Sequence, residues 1–144
     1  MKFEISEFSE SDRAELRQLY IDVRRETFNW LGRQSFQGDT FDADTKGEEV
    51  LVVRVEGEIA GFISVWLPDN FIHHLYIRTE YQRMGLGQSL INAVRTRIKS
   101  PLTLKCLVDN VIAVKFYQKN GWRTKSTGIS DHGVFILFEL SEHQ

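Results

Sequence analysis

The opening residues alternate, Phe3 and Ile5 standing between polar neighbours, which is the period-two pattern of a short strand. Ser9 followed three residues later by Asp12 has the form of a capping box at a helix start. Leu16, Leu19, Tyr20 and Val23 then recur at helical spacing, with Arg17, Arg24 and Arg25 left for the polar side. From Gly32 to Glu49 the period is lost, because Gly38, Asp39, Asp42, Asp44 and Gly47 break any repeat, while Phe28, Trp30, Phe36 and Phe41 punctuate the region with aromatics. A long loop carrying aromatics inside a small domain is either a packed flap or a ligand-binding segment, and Phe28 and Trp30 are its candidates for contact with an apolar substrate group.

Val50 to Val55 and Glu58 to Leu67 read as two strands joined by a tight turn at Glu56-Gly57. Pro68-Asp69-Asn70 turns the chain again, and Phe71 to Ile77 makes a further strand of an antiparallel meander. After Gly87, the positions Leu90, Ile91, Val94 and Ile98 define an amphipathic helix that Ser100-Pro101 stops. Leu102 to Val108 is a buried-type strand, and the helix between places it parallel to Phe71 to Ile77. A short helix from Val111 to about Asn120 presents Ile112, Ala113 and Phe116 to the interior before Gly121 ends it, and Gly133 to Leu140 closes the chain as a strand. The pattern is that of one α/β domain over residues 1–144.

Composition narrows the function classes. With 18 basic and 20 acidic residues the formal charge is -2, so no global field draws the chain to nucleic acid or to an anionic membrane, and any phosphate binding is local. The single cysteine, Cys106, has no internal disulfide partner and no companion thiol for zinc; in a strand of alternating Leu102, Leu104 and Val108 it reads as a buried apolar residue. Charges close behind Met1 leave no signal-peptide core, and the longest uncharged run, Ile59 to Pro68, is too short to span a membrane. A soluble cytoplasmic protein, monomeric or homodimeric, with no metal, is expected.

The chemistry-bearing feature is Gln82-Arg83-Met84-Gly85-Leu86-Gly87, which follows a strand and opens a helix. Glycine lets backbone approach a ligand closely, and the unpartnered N–H groups of a helix start, with the helix dipole, make an anion site suited to a pyrophosphate. Arg83 adds a full charge. The spacing fits neither the dinucleotide fingerprint nor a P-loop: Ser89 and Leu90 stand where the former needs another glycine, and the lysine of the latter is missing.

These residues resemble the central motif of the GNAT N-acetyltransferase superfamily, Gln/Arg-x-x-Gly-x-Gly/Ala after a strand. Leu75-Tyr76-Ile77 and Glu80-Tyr81 look like the strand and turn that precede it. A second block, Asn110 to Trp122, is similar to that family's Asn-x-x-Ala-x-x-Phe-Tyr-x-x-x-Gly-Phe segment, with Trp122 in the place of the final Phe. The likeness covers about residues 71 to 122 and implies a mixed, mostly antiparallel central sheet flanked by helices, whose parallel strand pair splays at the cofactor site.

It further implies acetyl-CoA as cofactor and transfer of its acetyl group to a primary amine on a small molecule or peptide, by direct attack with backbone N–H groups holding the oxyanion. In this resemblance the N–H groups of Arg83, Met84, Gly85, Leu86, Gly87 and Gln88 hold the pyrophosphate, with Gln82 opening the loop. Leu75, Tyr76 and Ile77 pair with the pantetheine arm as an added strand would. Asn110 either bonds that arm or caps the following helix. Tyr117 protonates the departing thiolate and also lies near the cofactor, its alternative being a half-buried packing role. His73 and His74 are the candidates for the general base, each with a structural histidine as its alternative, and alternation on a strand allows only one to face the site. Glu26, Glu49 or a chain of waters are remoter candidates, and Lys115, Lys119 and Arg95 are candidate partners of the adenosine phosphates. A non-catalytic acyl-CoA-binding regulatory module is the alternative that the same motifs allow.

Overall fold

A computed structural model describes residues 2–28, 40–99 and 101–141. Phe3–Glu7 forms β1, and the turn that follows is tied by the Ser9 N–H donating to Asp12 Oδ2 at 3.1 Å, one half of the expected capping box. Asp12 also accepts from Arg54, an ion pair that fastens the start of α1 (Arg13–Thr27) to the sheet. Leu16, Leu19, Tyr20 and Val23 are the buried residues of α1, the stripe expected from their spacing. In the irregular region, residues 29–39, which include Trp30 and Phe36, lie outside the described residues. Phe41–Asp44 forms the one-turn helix α2, whose Phe41 is buried against Phe8, Tyr20 and Phe62, so this aromatic anchors its segment to the core.

β2 (Glu49–Val55), β3 (Glu58–Trp66) and β4 (Phe71–Ile77) form the expected meander. Glu56 and Gly57 both take positive φ, 51° and 83°, the backbone sign of a two-residue hairpin turn that matches strand twist. α3 (Leu86–Arg97) buries Leu86, Leu90, Ile91 and Val94 and leads into β5 (Leu102–Leu107), which lies parallel to β4. α4 (Val111–Lys119) follows, then β6 (Arg123–Ser130) and β7 (Gly133–Leu140). The seven strands form one sheet in the order β1-β2-β3-β4-β5-β7-β6, antiparallel except at β4–β5.

Two details depart from the sequence pattern. β6 was not anticipated, because Arg-Thr-Lys-Ser-Thr-Gly-Ile-Ser has no apolar alternation; as the edge strand it is exposed over nearly its whole length and needs none. In α4 the buried residue is Tyr117, Phe116 is only half-buried, and Ile112 points to solvent at 80% exposure, which corrects the expected apolar face.

One face of the sheet packs under α3 and α4 in a core that includes Ile63, Ile72, Leu90, Leu104, Tyr117, Trp122 and Phe138. The other packs under α1 and α2, where Leu16, Leu19, Tyr20, Phe41, Val52 and Phe62 meet. Arg97, at the end of α3, bridges Glu7 at 3.0 Å and Glu49 at 2.9 Å, tying the helix across β1 and β2. No described helix is long and apolar enough to cross a membrane.

Candidate active site

β4 and β5 pair only at Phe71–Thr103 and Ile72–Leu104. Beyond Ile72, β4 continues along β3, with Leu75, Tyr76 and Ile77 opposite Ile63, Phe62 and Gly61, while β5 turns to β7 with Lys105, Cys106 and Leu107 opposite Leu137, Ile136 and Phe135. The parallel pair is therefore a wedge, and the edge of β4 that faces β5 carries no ladder from His73 onward. Such an edge is a template for an extended ligand that can offer its own amide groups.

At the mouth of the wedge the loop into α3 takes an unusual backbone course. Arg83 has φ 67° and Gly85, the N-cap of α3, has φ 80°. Left-handed residues set among right-handed ones turn successive N–H groups to one side, a concavity that favours anions. The helix begins its ladder with Ser89 N–H donating to the Gly85 carbonyl at 3.0 Å, so the N–H groups of Leu86, Gly87 and Gln88 are left for an outside acceptor. Gln82 is used inward: its Nε2 donates to the Ile77 carbonyl at 3.0 Å and folds the loop back on the end of β4. Gln82, Arg83, Met84 and Gly85 are exposed.

Gly87 is helical, and a Cβ built on it would meet Phe116 at 3.8 Å and Leu75 at 3.9 Å, ordinary contacts. Nothing among the described residues requires a glycine there. The open glycine surface, the cationic Arg83, the free N–H groups and the unpaired edge of Leu75 to Ile77 fit a pyrophosphate joined to an amide-bearing arm.

Tyr117 projects from α4 beneath the wedge, among Phe116, Trp122 and Phe138. Burial, then the neighbouring Cys106 and Tyr76, push its phenol well above the ordinary value, so it stays protonated. Cys106 is itself held up at about 11 by burial and is no thiolate. Asn110 caps α4, its Oδ1 accepting the Ala113 N–H at 3.4 Å.

The histidines lie on the opposite face. Ile72 and Leu75 belong to the core under α3, and regular alternation would send His73 and His74 to different sides. The β3–β4 register slips, however, with Ser64 opposite His74 and Val65 opposite Ile72. His73 is the extra residue of a β-bulge, so both rings come together, their centroids 4.0 Å apart. The expectation that only one of them can occupy a given face is thereby corrected.

Their environments differ. His74 is buried, its Nδ1 2.8 Å from Ser64 Oγ and its Nε2 3.4 Å from Tyr20 Oη. Burial first, then His73 and Arg24, bring its pKa down to about 2, so it is a neutral structural imidazole at physiological pH. His73 is exposed, with Nδ1 2.8 Å from Glu48 Oε2. Ligand atoms of Glu48, His73 and His74 fall within 4.8 Å of one another, but hydrogen bonds already join the first two to each other and the third to Ser64, a bonded cluster in its own right. Beside it, Tyr20 donates to Asp44 and accepts from Arg24 at 2.6 Å, while Arg24 also donates to Tyr76 Oη at 3.3 Å.

Glu48, Ser64, Tyr20 and Asp44 were missed as site residues. Ser64 carried a signal, being a polar residue inside the apolar run Ile59 to Trp66. Of the remoter candidates for the base, Glu49 is paired with Arg97 and Glu26 accepts from Thr79. Phe28 is half-buried at the end of α1, its N–H donating to the Arg24 carbonyl at 3.0 Å, and Trp30 falls among the undescribed residues.

Solved acetyltransferases share this fold. A GCN5-related N-acetyltransferase from Rhodopseudomonas palustris aligns with a TM-score of 0.82 at 19% identity, covering 99% of this chain and 97% of that one. PaiA N-acetyltransferase from Thermoplasma acidophilum, solved in complex with coenzyme A, aligns with a TM-score of 0.79 at 19% identity over 99% and 100% of the two chains. Arabidopsis thaliana Naa50, solved with the bisubstrate analogue CoA-Ac-MVNAL, gives 0.73 at 16% identity over 99% and 100%. Among curated proteins no sequence match was found. The model of the acetyltransferase (GNAT) family matches residues 13–122, and the chain belongs to that family. The family's cofactor is acetyl-CoA, and its activity is acetyl-CoA-dependent acetyl transfer.

Proposed function

We propose that this chain transfers the acetyl group of acetyl-CoA directly to a primary amine, with His73 as general base and Tyr117 as general acid. The observation that supports the reading is an exposed imidazole on β4, at the first residue past its pairing with β5, together with a buried, protonated phenol on α4 packed against Phe138 of β7.

The helix start at Leu86 to Gln88, with Arg83, binds the pyrophosphate, and the β4 edge at Leu75 to Ile77 aligns the arm. Acetyl-CoA supplies a thioester carbonyl open to an amine. His73 Nε2 takes a proton from the substrate ammonium, which exposes the nitrogen lone pair; the C–N bond forms and the C–S bond breaks. Tyr117 Oη–H gives its proton to the departing sulfur, a task suited to a phenol whose surroundings keep it protonated. Of the three ammonium protons, one stays on the amide, one reaches solvent through His73, and one replaces the proton that Tyr117 gave. The described surroundings of the histidines hold two acids, Asp44 and Glu48, and one cation, Arg24, beside the rings of Tyr20 and Tyr76.

The test is calorimetry with acetyl-CoA, followed by thiol release across a panel of small amines, amino acids and short peptides with free N-termini. Binding with turnover on at least one amine is expected. Binding without turnover on any of them would make the chain a coenzyme-binding module, and absence of binding would refute the site.

A further inference from the structure

The bulge of β4 sets His73 in a cage. His74 lies beneath it with its ring tilted 32° from parallel, Phe71 stands 6.1 Å away, and the Glu48 carboxylate closes the Nδ1 side. Glu48 belongs to the turn that leads into β2, where its N–H donates to the Thr45 carbonyl at 2.9 Å. Its side chain is only 6% exposed, against 42% for that of His73. One carboxylate oxygen, Oε2, meets His73; the other, Oε1, is buried with no hydrogen-bond partner among the described residues. A carboxylate removed from water and bonded on one side only is costly, and among the described residues its hydrogen-bonding capacity is directed at a single imidazole nitrogen.

We infer that Glu48 is a positioning residue that holds His73 in the tautomer protonated at Nδ1, leaving Nε2 as the acceptor of the ammonium proton. An ionised carboxylate can only accept, so the bond at 2.8 Å requires the hydrogen on Nδ1, and a neutral imidazole then carries its lone pair on Nε2. Burial of the carboxylate behind an exposed ring is the layout of a carboxylate–histidine pair, in which the acid orients the ring and stabilises the imidazolium that forms. His74 cannot substitute, since it is buried and its own Nδ1 is engaged by Ser64. The inference rests on the reading of His73 as base, and the experiment separates the two.

Glu48→Gln keeps the shape but offers an amide that can donate as well as accept, so His73 loses its imposed tautomer. Steady-state kinetics on an amine substrate are measured for the parent, His73→Gln, Glu48→Gln, Glu48→Asp and the His73→Gln/Glu48→Gln pair, with ¹⁵N spectra of the His73 ring. Thermal melts and acetyl-CoA affinity report folding and cofactor binding. The expected result for Glu48→Gln is a kcat lower by about 10² to 10⁴-fold, unchanged acetyl-CoA affinity, and a ¹⁵N pattern shifted away from the Nδ1–H form. Glu48→Asp, which keeps the charge, recovers part of the rate, and Glu48→Gln adds nothing in the His73→Gln background. Full turnover by His73→Gln would remove the base and this inference with it. A crippled His73→Gln beside a Glu48→Gln with parental kcat and parental ¹⁵N pattern would overturn the role of Glu48 and leave the base standing.

Discussion

Replacing Gly87 with alanine separates what the fold needs from what the ligand needs. The residue is helical, so alanine removes backbone freedom from the unfolded chain without strain, a gain of about 0.5–1 kcal/mol. The new methyl meets Phe116 at 3.8 Å and Leu75 at 3.9 Å, so no clash offsets that gain. The apo protein should melt about 1–4 °C higher. In the proposed site the same methyl occupies the surface on which pyrophosphate oxygens would reach the N–H groups of the first turn, so acetyl-CoA affinity should fall about 10- to 100-fold, or about 1.4–2.8 kcal/mol. Thermal unfolding without ligand and titration calorimetry with acetyl-CoA measure the two effects. Gly85→Ala is the control: its φ of 80° makes a side chain strained although the space is empty, and it should destabilise the apo protein by about 1–2 kcal/mol. If Gly87→Ala bound acetyl-CoA as tightly as the parent, the pyrophosphate would not lie over α3 and the cradle would be misplaced.

Tyr117→Phe keeps the ring among Phe116, Trp122 and Phe138 and removes the proton donor, so kcat should fall about 10² to 10⁴-fold with acetyl-CoA affinity unchanged; parental turnover with chemistry rate-limiting would remove Tyr117 from the mechanism. His74 has a folded pKa of about 2 against 6.5 for the free group, so below pH 6.5 the unfolded chain gains a proton that the native state does not. Stability contributed at higher pH is then lost toward acid at up to about 1.4 kcal/mol per pH unit, and His74→Gln should flatten this slope in denaturant melts between pH 7 and pH 5; an unchanged slope would show that another group sets it. Trp122 is buried with no hydrogen-bond partner for its indole Nε1 among the described residues, so Trp122→Phe, which removes only part of the ring, should cost less than loss of the whole ring, which costs about 3–5 kcal/mol; a loss in that range would mean that the N–H is bonded or that the site cannot close over the lost volume.

The order of elements was legible because most of them bury one face and so must repeat: the α1 stripe, the β2–β4 meander and the α3 stripe all appear where apolar residues recur. β6 was not legible, since an edge strand exposed on both faces has no reason to alternate. The turn into α3 could be read locally, from glycines at a helix start. The histidine cluster could not, because it depends on a register slip against β3 and on a glutamate from an aperiodic turn. Both facts belong to the pairing partner and not to the segment that holds the histidines.

The wedge also gives the molecule a mechanical seam. β1 to β4 form one half of the sheet and β5, β7 and β6 the other, and the ladder between the halves consists of two residue pairs at one end. Elsewhere the halves are held by side chains under α3 and α4. A molecule seated in the opening and in contact with both lips acts as a stitch across this seam, so occupancy should slow amide hydrogen exchange in β5 and β7 as well as in β4. The cohesion of the distal half-sheet thus becomes a readout of whether the acetyl donor is in place.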